Sequence, residues 1–197
     1  MSKKSKREVR QNRQRRKAIR SKLIWGGLAI GILAFLGFIA WTAFRPGAGE
    51  AVPIMANAGD HVPEGSDPGP FNSDPPTSGQ HYGQEMEAGF YQESDPEVQS
   101  EFPEGYLIHS LEHGYTIFWY NCDLLDEASC SNLKSEIKTV MNELNNFKVV
   151  GFPRSSIEVP LVMTSWGRKL PFDTFNPDQA RDFISRNRNR APEPNAP

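Results

Sequence analysis

The chain has 197 residues, a formal net charge of −2 and 38% hydrophobic residues, with two cysteines and four histidines. That length leaves room for about one ordinary domain once a terminal extension is set aside. The near-neutral total hides two unlike parts: Ser2 to Lys22 holds eleven Lys or Arg against one Glu, and the residues from Arg45 onward hold the other eleven bases against 23 acids. A cationic nucleic-acid-binding domain is therefore not expected, because the bulk of the chain is acidic.

Leu23 to Phe44 carries no charge over 22 residues, which at about 1.5 Å per helical residue spans the hydrocarbon of a bilayer. With a basic flank before it and an acidic bulk after it, the positive-inside rule predicts a single-pass protein of the cell membrane. Residues 1–22 are then a basic cytoplasmic tail, 23–44 the transmembrane helix, and the C-terminal part extracytoplasmic. The tail's Lys and Arg would bind anionic headgroups, each worth about 1 kcal/mol, so membrane lipid is the expected partner, beside an unidentified protein. Gly27 and Gly31 fit a small-xxx-small helix-pairing pattern, against plain lipid exposure. A cleaved signal peptide ending near Ala48 or Ala51 is the rival reading, but its apolar stretch should run to only about 7–15 residues.

Residues 45–58, rich in Gly, Ala and Pro, read as a flexible linker, and 59–185 as the exported domain. Up to Glu104 that domain shows Pro, Gly, Asp and Ser without apolar periodicity, a long shaped loop of the functional kind. Tyr115 to Tyr120 is β-branched and aromatic, a buried strand. Leu133, Ile137, Val140, Met141 and Leu144 fall at helical spacing, with Ser129 or Ser131 as cap and Asn145-Asn146 as terminator. Lys148 to Phe152 and Val159 to Thr164 look like two strands paired with each other across a turn. Asn176, Pro177 and Asp178 open a last helix that buries Ala180, Phe183 and Ile184, and 186–197 reads as a disordered tail. The fold class expected is α+β: a small, mainly antiparallel sheet with helices on one face, wrapped by the early Pro/Gly-rich loops.

Cys122 and Cys130 fall on the oxidising side of this topology, so a disulfide is expected between the strand and the following helix. All four histidines lie between His61 and His113. His109 and His113, four apart, share one side of a helix and equally one face of a strand. With His61 and His81 they form a candidate nitrogen-rich site for copper or zinc, with Met86, Glu112 and Met163 as accessory ligands. The bland alternative is that each histidine is a satisfied core or turn residue, in a structural or interaction module of an envelope or membrane complex that binds no metal. An enzymatic reading has only Glu112 as a base: HSLEH is not HExxH, and no P-loop, dinucleotide fingerprint or GxSxG is present. Trp166-Gly167-Arg168 reads either as a ligand contact through Arg168 or as a core edge.

The phrases His61-Val62, Asp74-Pro75-Pro76-Thr77-Ser78-Gly79-Gln80-His81-Tyr82, His109-Ser110-Leu111-Glu112-His113-Gly114 and Thr164-Ser165-Trp166-Gly167-Arg168, in that order, resemble the bacterial membrane family called domain of unknown function 3105. Gln80 and Ser165 stand where that family commonly has Pro and Ala. The resemblance implies a shared organisation and no established activity.

Overall fold

A computed structural model describes residues 3–196, so that Met1, Ser2 and Pro197, which end the predicted basic and disordered tails, lie outside the described residues. The chain divides into two compact units, Met1–Pro46 and Gly47–Pro197. The first is helix α1, Lys3–Phe44, of which Arg20–Thr42 is long and apolar enough to cross a membrane. Its large apolar side chains, among them Leu23, Ile24, Leu28, Leu33, Phe35 and Phe38, are exposed, so no protein core accounts for them.

The second unit is an α+β fold on a six-stranded mixed sheet. Its elements are β1 (Glu50–Ala51), β2 (Gly89–Phe90), α2 (Glu104–Glu112), β3 (Thr116–Tyr120), α3 (Glu127–Glu143), β4 (Val149–Pro153), β5 (Leu161–Ser165), β6 (Arg168–Phe172) and α4 (Pro177–Asn187). The strand order is β1-β6-β5-β3-β4-β2. The strands predicted at 148–152 and 159–164 exist as β4 and β5, but they do not pair with each other. Strand β3 lies between them, parallel to β4 and antiparallel to β5. The reason is topological: α3 carries the chain from β3 to β4, and a helical crossover returns a strand in the same direction. Helix α3 starts under an Asp126 cap rather than Ser129 or Ser131, with the Asp126 side chain accepting from the Ser129 amide. It stops before Asn145 and Asn146, both at φ 53°, and the Asn176 cap and Pro177 start α4 as expected.

Every residue of β3 is buried, and alternate side chains feed two cores. Phe118 and Tyr120 join Leu133, Ile137, Val140 and Met141 of α3 and Phe183 and Ile184 of α4 on one face. Ile117 and Trp119 join Leu107 and Leu111 of α2, with Val150, Phe152 and Val162, on the other. Helices α3 and α4 thus cover one face, as expected, and α2 covers the second, which the sequence did not suggest. Positions 107–112 of α2 are all buried, the polar His109, Ser110 and Glu112 with the apolar Leu107, Ile108 and Leu111, so polarity does not follow exposure and gives no amphipathic helical period.

Two segments read as loose are part of the fold. The predicted linker 45–58 contributes from Gly47 onward: Ala48 is buried, its amide donating to Asn187 Oδ1 at 3.1 Å, and β1 pairs with β6. The predicted disordered tail runs back along α2, where Asn189 N donates to the Gly114 carbonyl and Glu193 N to that of Glu112. Buried Lys148 holds this segment by donating to the carbonyls of His113, Pro194 and Ala196 at 2.9, 3.0 and 3.2 Å. Cys122 and Cys130 stand at disulfide distance, Cα atoms 5.3 Å apart, between β3 and α3.

Helix α2 is seated against the loop by Gly105, whose missing Cβ makes room for the Tyr82 ring. Tyr82 N also donates to the Gly105 carbonyl at 3.1 Å. Gly105→Ala drives a methyl into that ring, and overpacking of this kind costs about 1–3 kcal/mol. The expected result is a urea midpoint lowered by that equivalent, with helix content retained in the circular dichroism of the full chain in detergent.

Candidate functional site

The long loop is ordered because its polar backbone is satisfied internally, as burial demands. Asn72 does most of this: its side chain accepts from the amides of Thr77 and Ser78 and donates to Thr77 Oγ1 and the Pro53 carbonyl. Arg154, at the end of β4, bridges Asp74 of the loop and Glu104 at the start of α2, at 2.5 and 2.6 Å. The loop then lays His81 beside His61 in an isolated parallel bridge, with Val62 N donating to the His81 carbonyl at 2.8 Å. Helix α2 supplies the rest, because His109, Glu112 and His113, at i, i+3 and i+4, project from one side of it.

The four imidazoles that the chain separates by up to 52 positions meet in space. Ring centroids of His61 and His81 are 4.8 Å apart, His61 and His109 5.3 Å, His81 and His109 5.2 Å, and His109 and His113 4.3 Å. One ligand atom from each of His61, His81, His109 and Glu112 lies within 4.8 Å of the others. His113 is not of this set: it groups with His109 and Glu85. Met163 points into the α3–α4 core on the opposite side of the sheet, and Met86 packs in the apolar cluster with Leu107 and Leu111. Of the accessory residues only Glu112 joins the histidines. Glu85 was missed by the sequence reading; nothing in Gln84-Glu85-Met86 sets it apart from the other 22 acids that follow the apolar helix. Trp166 packs at the edge of the second core and Arg168 reaches toward the Gly49 carbonyl.

The centre of the site is the contact between His81 and Glu112, both buried. His81 Nδ1 donates to the Gly79 carbonyl at 2.9 Å, and its Nε2 lies 2.8 Å from Glu112 Oε2. With the Nδ1 proton committed to Gly79, Nε2 of a neutral ring turns a lone pair toward a carboxylate oxygen. Two acceptors rest at that distance only with a proton or a cation shared between them. His61, whose side chain is 52% exposed, brings its Nε2 to 4.0 Å from the same oxygen. His109 is buried and its pKa falls to about 4, chiefly by desolvation and then by the neighbouring His113, His81 and His61, with the Tyr82 backbone opposing weakly. Among the described residues, the buried Nδ1 atoms of His109 and His113 have no hydrogen-bond partner.

The fold is thus that of a two-faced α+β domain whose loop and short helix close over a buried histidine–carboxylate cluster. Residues 61–197 match the family described as protein of unknown function (DUF3105), and the chain belongs to that family. No curated protein and no solved structure matches it.

The depressed His109 pKa has a definite sign. Between about 4 and the ordinary value of about 6.5 the unfolded chain binds the extra proton, so stability rises with pH. The contribution is complete above about 6.5 and is lost as pH falls toward 4, of order 3 kcal/mol in all. In chelator, urea midpoints of the wild type should drop steeply across that window and those of His109→Gln much less. Parallel slopes in the two proteins would remove His109 as the titrating group.

Proposed function

We propose that the C-terminal unit is a metal-binding module held outside the membrane by α1, with His61, His81, His109 and Glu112 binding one divalent cation. The observation that carries this is the convergence of one ligand atom from each of His61, His81, His109 and Glu112 within 4.8 Å, with His81 Nδ1 tied to a backbone carbonyl and its Nε2 turned to Glu112 Oε2. A ligating histidine ordinarily gives its other ring N–H to a carbonyl or carboxylate in this way. Three imidazoles and a carboxylate suit zinc or a similar borderline ion, copper(II) included, better than calcium, magnesium or the thioether-seeking copper(I). Tetrahedral ligands stand roughly 3.3 Å apart at zinc–nitrogen distances of about 2.0–2.1 Å. Binding therefore draws the wider separations inward, with the exposed loop residue His61 free to move, and opens the 2.8 Å contact between His81 and Glu112 by about half an ångström. Glu112 acts as a ligand in this reading rather than as a base beside an open water.

The membrane side of the reading rests on charge and on the fold. A leader cleaved near Ala48 or Ala51 would take Ala48 out of the core or break β1 from β6, whereas an uncleaved anchor leaves both in place. The N-terminus is then cytoplasmic and the module extracytoplasmic, where thiols such as Cys122 and Cys130 oxidise. Protease added to the outside of right-side-out vesicles should digest the module and leave the tail intact.

The metal reading is tested on the untagged full chain in detergent, stripped with chelator, loaded with zinc(II) and dialysed. At least one retained ion per chain is expected, together with a raised melting temperature and loss of an ion in His81→Gln. A chain that keeps neither ion when loaded with zinc(II) or, in a parallel sample, copper(II), and whose His81→Gln form loses stability with no dependence on metal, is instead an interaction module in which His81 pins the loop to α2.

A further inference from the structure

We propose that Glu85, His109 and His113 form a second position for a divalent cation beside the first, with Glu193 orienting His113. This rests on the metal-binding reading above and extends it from one ion to two. Ligand atoms of Glu85, His109 and His113 lie within 4.8 Å of one another. Glu85 Oε2 is 4.0 Å from both His109 Nε2 and His113 Nδ1. On the far edge of the His113 ring, Nε2 faces Glu193 Oε2 at 3.7 Å. A carboxylate on that edge, within ion-pair range, favours the tautomer with its proton on Nε2 and the Nδ1 lone pair on the side of Glu85 and His109, and a small closing movement gives the hydrogen bond that orients a ligating histidine.

Two further observations point to a ligand. The Nδ1 atom of His113, the nitrogen that faces Glu85, is buried and without a hydrogen-bond partner among the described residues, a cost the fold itself does not offset. Both histidines are at least nine-tenths buried. Glu85, by contrast, is one-third exposed and also lines an open cleft of about 440 Å³ with the acidic Glu87 and Glu97 and the rings of Tyr91 and Tyr106. An acidic cleft concentrates cations and gives them a route to the site. His109 belongs to both ligand sets. An imidazole has two nitrogens, so one ring serves both ions when its N–H proton passes to solvent. Glu193 is brought to His113 by the C-terminal segment, which Lys148 fixes through the Pro194 and Ala196 carbonyls.

The test is an ion count by mass spectrometry on the untagged full chain in detergent, stripped with chelator, loaded with zinc(II) and dialysed. Two ions per chain are expected in the wild type and one in each of Glu85→Gln, His113→Gln and His81→Gln. Glu85→Gln alters a partly exposed side chain and guards against a folding defect in His113→Gln, with melting temperatures recorded for all. Glu193→Gln should keep two ions at saturating zinc and bind the second about 10- to 100-fold more weakly. One ion in the wild type that persists in Glu85→Gln and His113→Gln overturns the second position and leaves the first standing. No ion in the wild type overturns both, and two ions in Glu85→Gln and His113→Gln overturn the assignment of these ligands.

Discussion

A carboxylate and an imidazole buried against each other, Glu112 and His81, set the terms for the rest of the domain. Removing such groups from water costs several kcal/mol unless each finds a partner, and neither is free to drift toward solvent. His81 is fixed from behind by the Gly79 carbonyl and Glu112 by its place in α2. The loop must therefore lie on the helix in one register. Asn72 folding the loop on itself, Arg154 joining Asp74 to Glu104, and the absent side chain of Gly105 under Tyr82 all serve that register.

The sheet gives this contact its rigidity. Because β3 is buried on both faces, α2 packs on one side while α3 and α4 occupy the other, and the site helix sets Leu107 and Leu111 in the second core while its polar side meets the loop histidines. Where α2 ends, Gly114 at φ 84° turns the chain into β3. Its missing Cβ also lets Asn189 pass close by. The C-terminal segment can then run along α2, and a buried lysine whose ammonium meets three carbonyls keeps it there.

Much of this was legible in the residues, and the limits have physical causes. The apolar helix, β3, α3 and α4 announce themselves through uninterrupted hydrophobicity, β-branching or a 3.6-residue period. Helix α2 does not, because a helix buried over most of its length has no period to read. Strands β1 and β2 are two residues long, below what any pattern resolves. The pairing of β4 with β5 was wrong because adjacency in sequence outweighed the crossover that a helix between β3 and β4 implies. Residues 47–51 and 188–196 read as loose because scattered backbone bonds and two side chains, Asn187 on Ala48 and Lys148 on the tail, order them, and such ties leave no compositional trace.

The histidines were legible as a group because a rare residue confined to one part of the chain stands out, whereas Glu85 and Glu193 vanish in an acidic background. What the sequence lacked was the protonation state that burial imposes. A metal competes with protons for imidazole nitrogen, and desolvation that depresses the His109 pKa to about 4 removes that competitor near neutral pH. The same burial makes an uncompensated Glu112 charge expensive. That desolvation comes from the packing of α2 against the sheet, which buries His109 together with His81 and Glu112, rather than from any one neighbour.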